Sequence, residues 1–196
     1  MQIRVVAPRE LSAADRERWI RLQRSNPDLA SPYFHPEFTT AVAEVRDDTR
    51  VAVIGDAGET VGFLPFQRGT FGIGAPVGGR LSDYHGVVAA PHAAFDAREL
   101  VRGAGLSVWP FDHLVAAQEP FRAFHEATAE SPILDLSDGF EAYLRRRREA
   151  GSERVAQLQR KARKLEREVG GVELVAHRAD HAVLDEVVRL KSAQCR

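Results

Sequence analysis

RVAVIGDAGETVGFLPFQRG, residues 50–69, is the stretch that decides the fold, because it carries the clearest β-hairpin signal in the chain. Two apolar runs, VAVI (51–54) and VGFLPF (61–66), flank the polar turn sequence DAGE. Pro65 lies inside the second run, and proline has no backbone N–H to donate to a neighbouring strand. We therefore expect an antiparallel hairpin with an edge position or a bulge at Pro65.

Further strands and helices are expected on both sides of the hairpin. A helix is predicted over 11–26 with Ser12 as its N-terminal cap, and another starts near Pro36 and runs to about Asp47. Strands and helices do not alternate regularly, which predicts an α+β fold with a mixed sheet flanked by helices. The other expected elements before residue 116 are strands at 3–6 and 86–90, a helix within 93–105 ended by Gly103 or Gly105, and a strand that leads into a bend at 106–115.

The last third of the chain has its own pattern. Strands are predicted at 131–137 and 171–177, with Ser137 or Asp138 capping the long helical region between them and Asp180 capping a final helix. We divide the chain into two parts. Residues 1–139 form a domain, and residues 140–196 contain the basic helical segment, a strand and the start of a second half. The final apolar pattern reaches Arg196 without a glycine, asparagine or proline stop signal, so we expect the chain to be cut from a longer protein.

Charge and cysteine content restrict the kind of partner and the cellular location that we expect for this chain. The 196 residues carry a net charge of -1, but residues 140–196 carry +5 and the first 139 carry -6. This asymmetry favours a local anionic partner over general nucleic-acid binding. The single cysteine, Cys195, excludes an intrachain disulfide, and neither a signal peptide nor a membrane-spanning apolar run is present. A reducing, cytoplasmic location is the expectation.

The basic segment between Arg145 and Arg167 predicts two helices divided at Gly151, and the second helix has two different faces. One stripe is apolar, and the opposite side is a cationic ridge that we call the α-ridge, formed by Arg160, Arg163, Lys164 and Arg167. The α-ridge is either a solvated surface or a contact for an anion such as coenzyme phosphates, a glycan, a lipid or RNA. RNA is the weaker choice, because residues 145–170 contain no aromatic side chain for base stacking.

Several catalytic and metal motifs do not fit. GTFGIGAPVGG (69–79) lacks the glycine spacing and the following helix of a nucleotide-binding loop, and no GxSxG hydrolase motif occurs. His177 and His181 are four residues apart but straddle an expected strand–helix boundary, so a metal site is not expected there or elsewhere.

Three short clusters combine aromatic residues with histidine or aspartate: SPYFHPEF (31–38), LSDYHG (81–86) and WPFDHL (109–114). His85 or His113 could act as a general base near neutral pH, with Asp83 or Asp112 orienting the ring. The alternative is that each cluster is a structural turn whose polar groups are satisfied locally.

The order of several segments resembles the N-terminal half of the CelD-like acyltransferases, relatives of the FemAB type within the GNAT superfamily that are often linked to cellulose or exopolysaccharide production. The segments are PYFHPEF, VGFLPFQRG, PVGGRLSDYHGVV, FDHL and RKARKLEREVGGVEL, and together they span nearly the whole chain. The resemblance implies a GNAT-like fold and transfer of an acyl group from acetyl-CoA or another acyl-CoA to an amine or hydroxyl, on a small molecule or glycan acceptor.

Under this resemblance LSDYHG shapes the acceptor side of the cleft. His85 is the expected base and Asp83 its orienter or a hydrogen-bond acceptor for the substrate. The α-ridge is expected to meet phosphates or an anionic glycan. The remaining expected substrate-binding residues are Arg80, Tyr84, Tyr33, His35, Asp112 and His113.

The chain departs from the family in one respect. The acyl-CoA loop of the family belongs to its second half, and here Arg68 is followed three residues later by Phe71 instead of glycine. We therefore expect the coenzyme to be bound mainly by a second half. Two alternatives stay open: a FemAB-like aminoacyl transferase that takes its donor from charged tRNA, and a non-catalytic module that docks a partner through the α-ridge.

Overall fold

The computed structural model describes residues 1–173, 175 and 180–194. These residues form two compact units, Met1–Ala129 and Glu130–Arg196. The domain boundary expected between residues 139 and 140 falls inside the second unit. In the described part of the chain, no helix has both the length and the apolar composition that a bilayer span requires.

The first unit contains five strands and three α-helices. The strands are β1 (Gln2–Val6), β2 (Thr49–Asp56), β3 (Glu59–Arg68), β4 (Gly74–Pro76) and β5 (Val88–Ala89). The helices are α1 (Ala13–Ser25), α2 (Pro36–Val45) and α3 (Ala97–Gly103). The chain is therefore α+β, as its mixed sequence pattern predicts.

The sheet is antiparallel, which corrects the expected mixed sheet. Its order is β1-β2-β3-β4, β5 also pairs with β3, and every one of these pairings is antiparallel. The segment 106–115, expected to add a strand, makes only the isolated parallel bridges Ile73↔Val108 and His85↔Leu114. Because the two bridges join this segment to different parts of the chain, they do not form one continuous ladder.

The hairpin of β2 and β3 is confirmed. Its two turn residues, Ala57 and Gly58, have φ of 47° and 86°, which is the left-handed geometry that matches the twist of two antiparallel strands. The bulge lies between Ile54 and Gly55. Pro65 lies between the part of β3 that pairs with β5 and the part that pairs with β4, so this proline occupies a locally unpaired position on that side.

Both faces of the sheet are covered by apolar side chains. Because side chains alternate along a strand, Val51 and Val53 point to one face, and Ala52 and Ile54 point to the other. The first face packs with Leu11, Trp19, Leu22, Leu29, Phe34, Phe63 and Val88. The second packs with Leu64, Phe66, Val87, Ala89, Ala97, Leu100, Ala104, Leu106, Trp109 and Phe121.

The N-terminus of α1 is closed by a capping box, which confirms Ser12 as its cap. The Ser12 hydroxyl accepts a hydrogen bond from Asp15 N–H at 3.0 Å, and the Asp15 carboxylate accepts from Ser12 N–H at 3.3 Å. Arg4 also donates to this carboxylate at 3.1 Å. Burial by itself raises the pKa of Asp15, but the hydrogen bonds from Ser12 and Arg4 outweigh it, so the pKa lies below its ordinary value.

Replacing Asp15 with alanine is expected to lower the free energy of unfolding by about 1 kcal/mol near neutral pH. Because folding lowers the pKa of Asp15, its contribution is present above the unfolded pKa of about 4 and is lost as the pH falls through the folded pKa. The unfolding free energies of wild type and Asp15→Ala, measured in urea, should therefore converge as the pH falls below the ordinary aspartate pKa of about 4. Glu44→Ala, at an exposed position of α2, is the control. A difference that stays constant with pH would contradict this role.

The described residues of the second unit form three helices: α4 (Phe140–Glu149), α5 (Arg154–Val169) and α6 (His181–Gln194). Asp180 accepts a hydrogen bond from Ala182 N–H at 3.0 Å, which confirms its predicted capping position. The cap of α4 is Gly139, with φ of 86° and no side-chain hydrogen bond, and not Ser137 or Asp138. Those side chains are engaged elsewhere: the Ser137 hydroxyl donates to the Asp135 carboxylate, and Asp138 pairs with Arg146.

Neither of the two strands predicted for the second unit is present in the described residues. Residues 131–137 are exposed and irregular, because no neighbouring strand is present in the described structure to complete their hydrogen bonds. Residues 171–173 and 175 are likewise not in a strand. The rest of the strand predicted at 171–177, including His177, lies outside the described residues.

Candidate functional site

Two of the segments singled out in the sequence meet through their backbones. His85 N–H donates to His113 O at 2.8 Å, and Val115 N–H donates to His85 O at 3.1 Å. This short parallel contact fixes LSDYHG against the residues that follow Pro110. It therefore brings His85 beside Asp112 and His113, which are 27 and 28 positions further along the chain.

These three side chains form a compact group that we call the HDH cluster: His85, Asp112 and His113. Asp112 Oδ1 lies 3.3 Å from His85 Nδ1 and 3.1 Å from His113 Nδ1. The two imidazole rings are edge-on, with centroids 5.6 Å apart. The side chain of His85 is only 3% exposed, whereas those of Asp112 and His113 are 76% and 49% exposed. The cluster thus has one buried imidazole and two side chains that face solvent.

The protonation of His85 follows from its neighbours. Its Nε2 lies 3.1 Å from Ser82 O, and a carbonyl oxygen only accepts, so this hydrogen bond places the ring proton on Nε2. Burial lowers the pKa of His85, and the nearby negative charge of Asp112 only partly opposes this. The hydrogen bond from His113 lowers the pKa of Asp112. At neutral pH His85 is therefore a neutral imidazole beside an ionised carboxylate.

The other residues predicted for the site lie in different surroundings. Asp83 and Arg80 are exposed, and the carboxylate beside the His85 ring is Asp112. Tyr84 packs against Phe34 with ring centroids 6.3 Å apart, and Tyr33 packs edge-on against Phe38 at 5.0 Å. His35 caps α2, where its Nδ1 accepts from Glu37 N–H at 3.4 Å. The structure thus brings together His85, Asp112 and His113 but not Tyr33, His35 or Arg80 with them.

The first unit also contains an apolar cleft of about 630 Å³, and much of its lining comes from the residues that follow His85 and His113 in the chain. Most of its lining side chains are small or apolar, and Asn26, Asp28, His92, Gln118 and Glu119 supply the polar groups. The lining comes from residues 26–29, 89–95 and 117–120 with Val87 and Val115, and it includes none of the site residues predicted from the sequence.

Gln118 holds one wall of this cleft in place. Its Oε1 accepts from Val87 N–H at 2.9 Å, and its Nε2 donates to Val87 O at 2.8 Å, so one amide satisfies both backbone groups of a buried residue. Asn26 makes a related contact, donating to Ala89 O at 3.2 Å. Nothing in the sequence around Gln118 indicates this role, since the contact joins positions 31 residues apart.

Gly86 makes room for that amide. Its φ of 147° is rare for residues with a side chain, and a Cβ at this position would lie 2.6 Å from Gln118 Nε2. The glycine of LSDYHG is therefore required for the close approach of Gln118 to the backbone.

The α-ridge lies on α5, and its four basic side chains are exposed. Lys164 pairs with Glu168 at 3.7 Å. Most of the opposite apolar stripe, expected to pack, is exposed as well in the described structure, with Leu158 at 65%, and Val155 is half-buried. Both faces of α5 are therefore open to solvent, which corrects the expectation of a one-sided helix.

The residues of the HDH cluster and the cleft are thus defined by geometry alone. Comparisons of this chain with protein-family models, with curated proteins and with solved structures each found no match.

Proposed function

We propose that this chain takes part in acyl transfer from acyl-CoA to an amine or hydroxyl acceptor, and that the cleft beside Gln118 receives the acceptor. The observation that carries the proposal is the cleft itself. Its volume of about 630 Å³ and its apolar lining with a few polar groups are typical of small-molecule sites. The order of sequence segments shared with the CelD-like acyltransferases supports the choice of reaction.

In this reaction the acceptor nitrogen or oxygen attacks the thioester carbonyl, the C–S bond breaks, and the coenzyme leaves as a thiolate. The acceptor loses one proton, which the thiolate or solvent takes up. Holding the two reactants in line supplies most of the acceleration such a step needs. The cleft contributes to that step by fixing the acceptor, whether or not a protein base is used.

The roles predicted for His85 and Asp83 as base and orienter stay predictions. At 3% exposure the His85 side chain meets a substrate only if the surrounding turn opens. Full transfer activity in His85→Ala would contradict the prediction.

The α-ridge is the proposed contact for the coenzyme phosphates, since four exposed cations on one side of α5 favour a polyanion. Charge reversal of Arg160, Arg163 and Lys164 distinguishes coenzyme binding from the docking of a protein partner. Transfer that persists while a protein partner is lost would favour the docking module. Transfer of an aminoacyl group from charged tRNA, with steep salt dependence, would favour the FemAB-like alternative.

Filling the cleft is the test of the proposal. Ala94 is exposed and lines the cleft, so Ala94→Trp narrows it without placing a large side chain in the core. We expect acceptor-dependent release of the coenzyme thiol to fall at least about tenfold, chiefly through a higher KM for the acceptor. Ala129→Trp, at an exposed position outside both the cleft and the α-ridge, should leave the rate unchanged. Equal rates in the two variants would exclude this cleft as the acceptor site.

A further inference from the structure

The buried nitrogen of His85 has an unused lone pair. Nε2 donates its proton to Ser82 O, so Nδ1 is the ring nitrogen that faces Asp112. This atom is buried and has no hydrogen-bond partner among the described residues. Its neighbour Asp112 Oδ1, at 3.3 Å, is within ion-pair distance, but the two groups are not aligned as a hydrogen bond. A polar atom in this position calls for a partner.

A cation would satisfy both groups at once. The Nδ1 lone pair and the Asp112 carboxylate are both electron donors, so direct contact between them is unfavourable without a positive charge. His113 Nδ1 lies 3.1 Å from the same carboxylate oxygen, and a metal ion would displace the proton of this hydrogen bond and take the Nδ1 lone pair as a third ligand. Two imidazoles and one carboxylate therefore point their donor atoms toward one region of space.

The spacing of these atoms fits a metal ion. Zinc–ligand bonds of about 2.0–2.1 Å in a tetrahedron place neighbouring ligand atoms about 3.3–3.4 Å apart. The two distances that involve Asp112, 3.3 Å and 3.1 Å, are close to this edge length. All three ligand atoms lie within 4.8 Å of one another. We propose that His85, Asp112 and His113 bind one divalent cation of the Zn²⁺ type.

The surroundings match those of a metal site with an open position. The Ser82 carbonyl orients the His85 ring through its other nitrogen, as the neighbours of metal-binding histidines commonly do. Asp112 and His113 are exposed, so the ion enters from solvent and keeps a coordination position for water or a substrate oxygen. A nitrogen- and oxygen-ligand set favours Zn²⁺ over the hard cations Mg²⁺ and Ca²⁺. This inference does not depend on the acyl-transfer proposal.

The test is a calorimetric titration of the chelator-treated, metal-free chain with zinc chloride. We expect one saturable site per chain, a rise in melting temperature with added Zn²⁺, and a visible absorption band of tetrahedral Co²⁺ when cobalt is used. His113→Ala should weaken Zn²⁺ binding at least about 100-fold and Asp112→Asn at least about tenfold. Mg²⁺ should give no comparable signal.

Controls keep the result interpretable. His113 and Asp112 are exposed, so their variants should fold even if His85→Ala does not. His181→Ala, at an exposed position of α6, should bind Zn²⁺ as wild type does. The proposal is overturned if the folded wild-type chain shows no saturable Zn²⁺ site. It is overturned equally if His113→Ala and Asp112→Asn bind as tightly as His181→Ala.

Discussion

Trp19→Ala is expected to lower the free energy of unfolding by about 3–5 kcal/mol, the largest effect we predict for a single substitution. Trp19 is fully buried where α1 packs on β3, and its ring stacks on Phe63 with centroids 4.8 Å apart. Its Nε1 donates to Phe34 O at 2.7 Å. Truncation removes a large apolar contact and leaves both a cavity and an unpaired buried carbonyl. Urea unfolding followed by circular dichroism measures the change.

The second tryptophan of the chain supplies a matched control for the hydrogen bond. Trp109 is also buried, but its Nε1 has no hydrogen-bond partner within the described residues. Trp19→Phe should therefore cost about 1 kcal/mol more than Trp109→Phe, because only the first loses a hydrogen bond. Equal costs would mean that the Trp19–Phe34 hydrogen bond contributes nothing to stability.

Gln118→Leu is expected to lower the free energy of unfolding by about 2–4 kcal/mol. Leucine has a similar size but cannot bond to Val87 N–H or Val87 O, so two buried backbone groups lose their partner together. Because Gln118 also lines the cleft, the substitution should loosen the wall formed by Val87 and Ala89. Urea unfolding gives the cost, and hydrogen exchange at Val87 N–H should quicken.

A comparison with two other variants shows whether the amide itself matters. Gln118→Glu keeps an acceptor for Val87 N–H, but its carboxylate cannot donate to Val87 O at neutral pH. At low pH the neutral carboxyl can donate, so the cost of Gln118→Glu should then not exceed that of Gln118→Leu. Gln157→Leu, at an exposed position of α5, should change stability by less than about 0.5 kcal/mol. A cost for Gln118→Leu as small as this would contradict the bracing role.

The elements set by nearby residues could be predicted from the sequence. The hairpin over 50–69 depends on two apolar runs and a two-residue turn, and the caps at Ser12 and Asp180 depend on residues within three positions. The strand expected at 131–137 had the right local pattern but lacked a neighbouring strand in the described structure. Local propensity cannot supply that partner, which is why the prediction was wrong.

The candidate site could be predicted only in part, because its contacts are long-range. Both LSDYHG and FDHL were singled out, and the sequence offered Asp83 and Asp112 as alternative partners for a histidine. Only the backbone bridge between His85 and Leu114 shows that Asp112 is the carboxylate beside His85. Gln118 and Asn26 act on backbone groups far along the chain, and no local pattern identifies such contacts.

The most direct measurement of the proposed role is a titration of the 196-residue chain with simple amines and short sugars, followed by the NMR shifts of its backbone amides. We expect saturable shifts at Val87, Ala89 and Gln118, which line the cleft, and their loss in Ala94→Trp. No saturable shift with any acceptor, or the same shifts in wild type and Ala94→Trp, would contradict the proposal.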